Sequence, residues 1–98
     1  MLIDKINLNL LRIFEKVYET KSMTRASQEL FMTQSGVSQN IKHLEEILDL
    51  RLFDRVKQRL LPTEKASILY ENCKKNLRAI EQTLLRVTGK EEELMGSV

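Results

Sequence analysis

Gln34, Ser35, Ser38 and Gln39 are short polar side chains that both donate and accept hydrogen bonds, and they crowd the start of one helical pattern. Lys42 continues their face, which meets no acid until Glu45, Glu46 and Asp49. That chemistry suits the edges of bases, because glutamine can bond adenine in a bidentate way and no carboxylate would be forced against phosphate. Thr33 stands where its hydroxyl can accept from a free backbone N–H one turn into this helix. The remaining N–H groups and the positive end of the helix dipole favour a nearby phosphate. Taken alone, the same pattern also describes a solvated helix face, so the surrounding elements have to decide.

Val37, Ile41, Leu44 and Leu48 recur at steps of four, three and four, which places an apolar stripe behind the polar face. Residues Thr24 to Leu44 as a whole hold two helical patterns separated by a break of two or three residues, the layout of a helix-turn-helix. Ser22 or its neighbour can cap the preceding short helix, and the small Ala26 permits close crossing by the next one. Met23 and Phe31 are expected at the edge of the core. Downstream, Leu52-Phe53 and Leu60-Leu61 flank Asp54-Arg55-Val56-Lys57-Gln58-Arg59. Two apolar pairs around a cationic tip predict a small hairpin, or wing, in which Arg55, Lys57 and Arg59 neutralise phosphates and a tip cation reaches a minor groove.

Residues 8 to 66 resemble the N-terminal domain of LysR-type transcriptional regulators. The matching series runs Leu11-x-x-Phe14-x-x-Val17, Ser22-Met23-Thr24-x-Ala26, Leu30, Thr33-Gln34-x-x-Val37-Ser38-x-x-Ile41-x-x-Leu44-Glu45, Leu48-x-Leu50-x-Leu52-Phe53-x-Arg55 and Pro62-Thr63-Glu64. The resemblance implies a mainly α winged helix-turn-helix, three helices plus a small β-hairpin wing, followed by a long dimerising linker helix. By the same resemblance Gln34, Ser35 and Gln39 read base edges. Thr24, Arg25, Thr33, Ser38, Lys42 and Arg55 hold the DNA backbone, and Lys57, Gln58 and Arg59 form the wing. The chain departs from the family at Gly36, where Ala or Pro is usual, at Lys57 for a wing glycine, and at Lys65-Ala66 for Ala-Gly. Gln58 replaces a frequent arginine, so the minor-groove contact is either lost or passed to Arg59.

The last third carries Ala66, Tyr70, Cys73, Leu77, Ile80, Leu84 and Val87 at strict steps of four and three, a heptad seam. Pro62 favours an extended predecessor and Thr63 is a natural cap for a helix that would rise about 32 Å from Ala66 to Val87. The family reading pairs this linker with that of a second subunit through Tyr70, Cys73, Leu77, Ile80, Leu84 and Val87. The plainer reading packs it on its own domain, with Leu8, Leu11, Phe14 and Tyr18 of the first helix contributing. The expected organisation is 1–62 as winged helix-turn-helix, 63–88 as linker and 89–98 as hinge or tail. There Leu94-x-Gly96-x-Val98 resembles the entry to an effector-binding domain, so the chain reads as the DNA-binding fragment of a longer regulator.

With 98 residues there is room for one small core, and the long helix needs a partner to bury its stripe. A net charge of +2 puts the weight of DNA binding on local placement of cations. One cysteine and one histidine exclude a Cys/His zinc site and any disulfide within a chain. Cys73 reads as a buried small apolar residue rather than a redox sensor, and His43 as a surface histidine beside Lys42. No apolar run reaches membrane-span length and no signal-peptide core precedes the domain, which predicts a cytoplasmic protein without a membrane partner. Glycines at 36, 89 and 96 form no phosphate-cradling loop, and no catalytic arrangement is visible. The expectation is a non-enzyme that binds double-stranded DNA at an interrupted inverted repeat as a homodimer, with a tetramer as the alternative at full length. It needs no cofactor of its own, and a small-molecule effector would bind the absent C-terminal domain. The alternative is a helical interaction module that has lost sequence-specific DNA reading.

Overall fold

The computed structural model describes residues 1–90, so the stretch from Leu94 to Val98 read as a hinge lies outside the described residues. A 3-10 turn, Leu2–Lys5, leads into α1 (Leu8–Thr20), α2 (Met23–Leu30) and α3 (Gln34–Leu48). The strands β1 (Phe53–Val56) and β2 (Arg59–Pro62) form an antiparallel hairpin, and α4 (Glu64–Thr88) ends the fold. This is the mainly helical, winged helix-turn-helix that the sequence predicts.

Local chemistry starts and stops each helix. The side chains of Asn7, Ser22, Thr33 and Thr63 each accept from a backbone N–H three residues on, at Leu10, Arg25, Gly36 and Ala66 respectively. Such caps each contribute about 1 kcal/mol. Lys21, Phe31, Asp49 and Gly89 end the four helices in the left-handed conformation, three of them without the freedom of glycine. Phe31 is therefore not at the core's edge as its apolar character suggests. The left-handed turn swings its ring outward, where it is 96% exposed. Met23, by contrast, is partly buried against the core.

The core gathers around α1. Leu10, Ile13, Phe14 and Val17 are buried, whereas Leu8 is half exposed and Leu11 only partly covered. Leu8 and Tyr18 lie toward α4, Leu8 lining a hollow with Leu77, Ile80 and Leu84 and Tyr18 stacking on Tyr70. Val37, Ile41 and Leu44 of α3 are buried as their spacing requires, and Ala26 lets α2 pack closely at zero exposure. Phe14 meets the ring of Phe53 at 5.8 Å, which ties the base of the hairpin to the helices.

Glu45 ties α3 to the hairpin. It stands among the acids of α3, yet it is partly buried, and its Oε2 accepts from the backbone N–H groups of Leu52 at 2.7 Å and Phe53 at 3.3 Å. One carboxylate so satisfies two donors at the entry to β1 and fixes the hairpin to α3. At the far end, Lys57 and Gln58 make a two-residue connection with φ of 51° and 66°. Positive φ at both positions is what a type I′ hairpin turn demands, usually of Asn-Gly.

Removing the Glu45 carboxylate leaves both N–H groups short of a partner. Glu45→Ala should cost about 2–3 kcal/mol, since charge-assisted bonds and orphaned buried donors are of that order, and Glu45→Gln less. Urea unfolding checks this; a loss below about 0.5 kcal/mol for Glu45→Ala would discard the anchoring role.

Candidate nucleic-acid interface

The start of α3 lies beside the start of α2 and the inner side of the hairpin. A hollow of about 160 Å³ is lined by Lys21, Ser22, Thr24, Gln34, Arg55, Gln58 and Arg59, together with Met23 and Leu60. A neighbouring hollow of about 340 Å³ runs along α3 and is lined by Ser38, Lys42, Arg51 and Arg55 together with Glu45 and Phe53. Helical periodicity explains the selection: Gln34, Ser38 and Lys42 are four residues apart and form one row facing the hairpin. Ser35 and Gln39 are exposed one step further round α3. Met23, Arg55 and Leu60 border both hollows, and Arg55 is the charged residue common to the two halves of this face.

Of the residues expected in the site, the structure therefore brings Thr24, Gln34, Ser38, Lys42, Arg55, Gln58 and Arg59 to one concave surface. Arg25, Thr33, Ser35, Gln39 and Lys57 are exposed around it but do not line either hollow. Thr33 is engaged as the cap, accepting from Gly36 at 3.0 Å, and its carbonyl takes the N–H of Val37. The N–H groups of Gln34 and Ser35 have no partner among the described residues, at the positive end of a helix of 15 residues. Gly36 sits tight against this cap: a Cβ there would come within 2.9 Å of the Thr33 hydroxyl oxygen.

Charge on the face is mostly uncommitted. Lys42, Arg55, Lys57 and Arg59 enter no ion pair among the described residues. Arg51 pairs with Asp54 at 3.2 Å. Lys21 and Arg51 were not among the expected site residues. Their positions at the ends of α1 and ahead of β1 give no periodic signal, and only the fold brings them to the hollows.

A family model described as the bacterial regulatory helix-turn-helix protein, lysR family, matches residues 8–67. The chain belongs to this family. Among curated proteins, the LysR-family chain is similar to the glycine cleavage system transcriptional activator of Escherichia coli (strain K12), 45% identical over 67 residues, which is 68% of this chain and 22% of that protein. It is also similar to the nitrogen assimilation regulatory protein of Klebsiella aerogenes, 36% identical over 93 residues, 95% of this chain and 30% of that protein. Among solved structures it is similar to a BenM DBD/catB site 1 DNA complex, with a TM-score of 0.82 and 28% identity, covering 87% of this chain and 94% of that one. The probable transcriptional regulator PA0477 from Pseudomonas aeruginosa superposes with a TM-score of 0.78 at 32% identity, covering 87% of this chain and 28% of that one. The LysR-family chain spans no more than about a third of the length of the curated relatives it matches.

The long helix α4 leans on α1. Ala66 and Cys73 are buried within the single chain, and Tyr70 stacks on Tyr18. The first half of the heptad seam is thus covered by the chain's own α1, while Ile80, Leu84 and Val87 are 42%, 59% and 79% exposed. Burial and the charge of Glu15 push the Cys73 thiol up, away from the reactive thiolate. Glu15 itself is raised by burial and by Glu19. Among the described residues no helix is long and apolar enough to cross a membrane.

Tyr70 offers a pH test of this packing. Burial first, then donation of its hydroxyl to Glu19 at 2.7 Å, push its pKa from 10.0 up to about 12. A raised folded-state value means that the native chain holds the proton more tightly, so the stabilisation is complete below pH 10 and is lost as pH rises toward 12. Between those values the stability of the natural chain should fall more steeply than that of Tyr70→Phe. Parallel curves in thermal denaturation would show that the hydroxyl is not protected in this way.

Proposed function

We propose that this chain is the DNA-binding part of a transcriptional regulator, seating the start of α3 in the major groove of double-stranded DNA and laying the hairpin on the backbone or in the minor groove. The observation that carries the proposal is the single concave face on which Gln34, Thr24, Arg55, Gln58 and Arg59 converge beside the open N-terminus of α3. Amide and hydroxyl groups supply base reading; Arg55, Lys42 and the wing cations supply a phosphate clamp. The solved structure titled as a DNA complex of BenM, similar over 87% of this chain, supports the same docking. No catalytic step is part of this reading, and the site of action is the cytoplasm.

The exposed half of the α4 seam, from Leu77 through Ile80 and Leu84 to Val87, is the surface on which a second copy would pair, so that two recognition helices meet an interrupted inverted repeat. Tyr70 and Cys73, covered by α1 within the chain, stand at the inner edge of that interface. A small-molecule effector and any tetramer contacts belong, in this reading, to a further domain beyond these residues.

Selection from a random duplex library at near-physiological salt should enrich a two-fold symmetric motif. Gln34→Ala or Gln39→Ala should then relax preference at the contacted positions by about 1–3 kcal/mol. Binding without enrichment, or equal weakening on every sequence, counts against base reading. Ile80→Asp places a charge in the seam and should turn the dimer into a monomer by sedimentation; a mutant that stays dimeric moves the interface elsewhere.

A further inference from the structure

We propose that Tyr18 and Tyr70 form a positioning joint that sets the direction in which α4 leaves the winged helix, and through it the half-site spacing that a dimer accepts. The inference rests on the DNA-reading dimer proposed above and adds the residues that tune it.

The two rings are nearly parallel, with centroids 4.1 Å apart and planes inclined by 10°. Each hydroxyl reaches the opposite helix: the Tyr18 hydroxyl shares a hydrogen bond with Ser67 Oγ at 3.0 Å, and the Tyr70 hydroxyl donates to Glu19 Oε2 at 2.7 Å. Rings this close leave no room for an ammonium between them, so the cations lie on the outer faces. Lys21 sits 4.4 Å from the Tyr18 centroid and Lys74 5.6 Å from that of Tyr70. Cation and ring attract through the quadrupole, and stacking prefers a narrow range of geometries.

Such an arrangement specifies an angle as well as a contact. An aliphatic pair would bury the same area with little directional preference, whereas two crossed hydroxyl ties and a parallel stack all weaken when one helix tilts against the other. The location gives the angle leverage. Cys73 is the last buried residue of α4, and about 27 Å of helix follow between Tyr70 and Thr88. A tilt of about 10° at the joint moves the far end by about 5 Å, more than the ~3.4 Å that one base pair adds to a half-site separation. The other end of the joint is near the DNA face: Lys21 donates to the Tyr18 carbonyl at 2.8 Å and also lines the hollow shared by Thr24, Gln34 and Arg55.

The test uses the 98-residue chain and duplexes carrying two copies of its selected half-site, with the spacer varied in single base pairs, plus a duplex with one half-site. The natural chain should prefer one spacing, losing at least tenfold in affinity per base pair inserted or removed. Tyr18→Leu and Tyr70→Leu, each still dimeric by sedimentation, should flatten that dependence to less than threefold while single half-site affinity stays within twofold. Tyr70→Phe, which keeps the stack, should retain most of the preference. A leucine variant that turns monomeric overturns the joint as a positioning device. Leucine variants with the natural spacing profile overturn the joint, as does a loss that is equal on all spacings and on the single half-site. A natural chain with no spacing preference overturns the dimeric reading and the joint with it.

Discussion

One helix has to satisfy three partners at once, and the rest of the molecule depends on how α1 does so. Phe14 sits at zero exposure in the middle of its buried stripe, with the ring of Tyr18 at 6.1 Å and that of Phe53 at 5.8 Å. The first ring belongs to the side on which α4 leans and the second to the foot of the hairpin. Interiors are packed as densely as molecular crystals, so a shift of this one side chain is transmitted rather than absorbed. The placement of the recognition helix, the wing and the long helix is accordingly a single problem with a single solution.

Much of this was legible in the sequence where the signal is periodic. Val37, Ile41 and Leu44 announce the buried side of α3, and the polar residues between them announce the open side. Turn chemistry at Ser22, Thr33 and Thr63 marked the helix starts. The misplaced residues share a different cause. The first helix carries Leu8, Leu10, Leu11, Ile13, Phe14 and Val17, apolar on several faces, so spacing alone does not choose which of them face the core. Phe31 looks like core because it is apolar, but a left-handed helix stop is a demand of the backbone that hydropathy does not encode. Glu45 finds its donors seven and eight residues away across a chain reversal, beyond the reach of any local pattern. A heptad repeat states only that a stripe needs covering, and α1 covers the first half of the one on α4.

The candidate site was legible as a set of residue types and less so as a surface. Gln34, Ser38 and Lys42 face the hairpin, while Ser35 and Gln39 are turned by one step, a distinction that follows from the position of β1 and β2 and not from α3 itself. Arg55 owes its place between the two hollows to its strand position opposite Leu60. With a net charge of only +2, the chain relies on where its cations are held, and Glu45 helps by spending its charge on backbone donors beside that face.

The tip of the hairpin has a consequence of its own. Lys57 and Gln58 hold a turn that glycine adopts at no steric cost, and each gives up about 1–2 kcal/mol to do so. What the chain receives in exchange is a smaller conformational repertoire, since side chains with a Cβ explore fewer backbone states than glycine. A loop already confined to the shape it presents loses less entropy when something closes over it. The strain at this tip is therefore a form of preorganisation: a cost met in folding that lessens the ordering left for any later encounter.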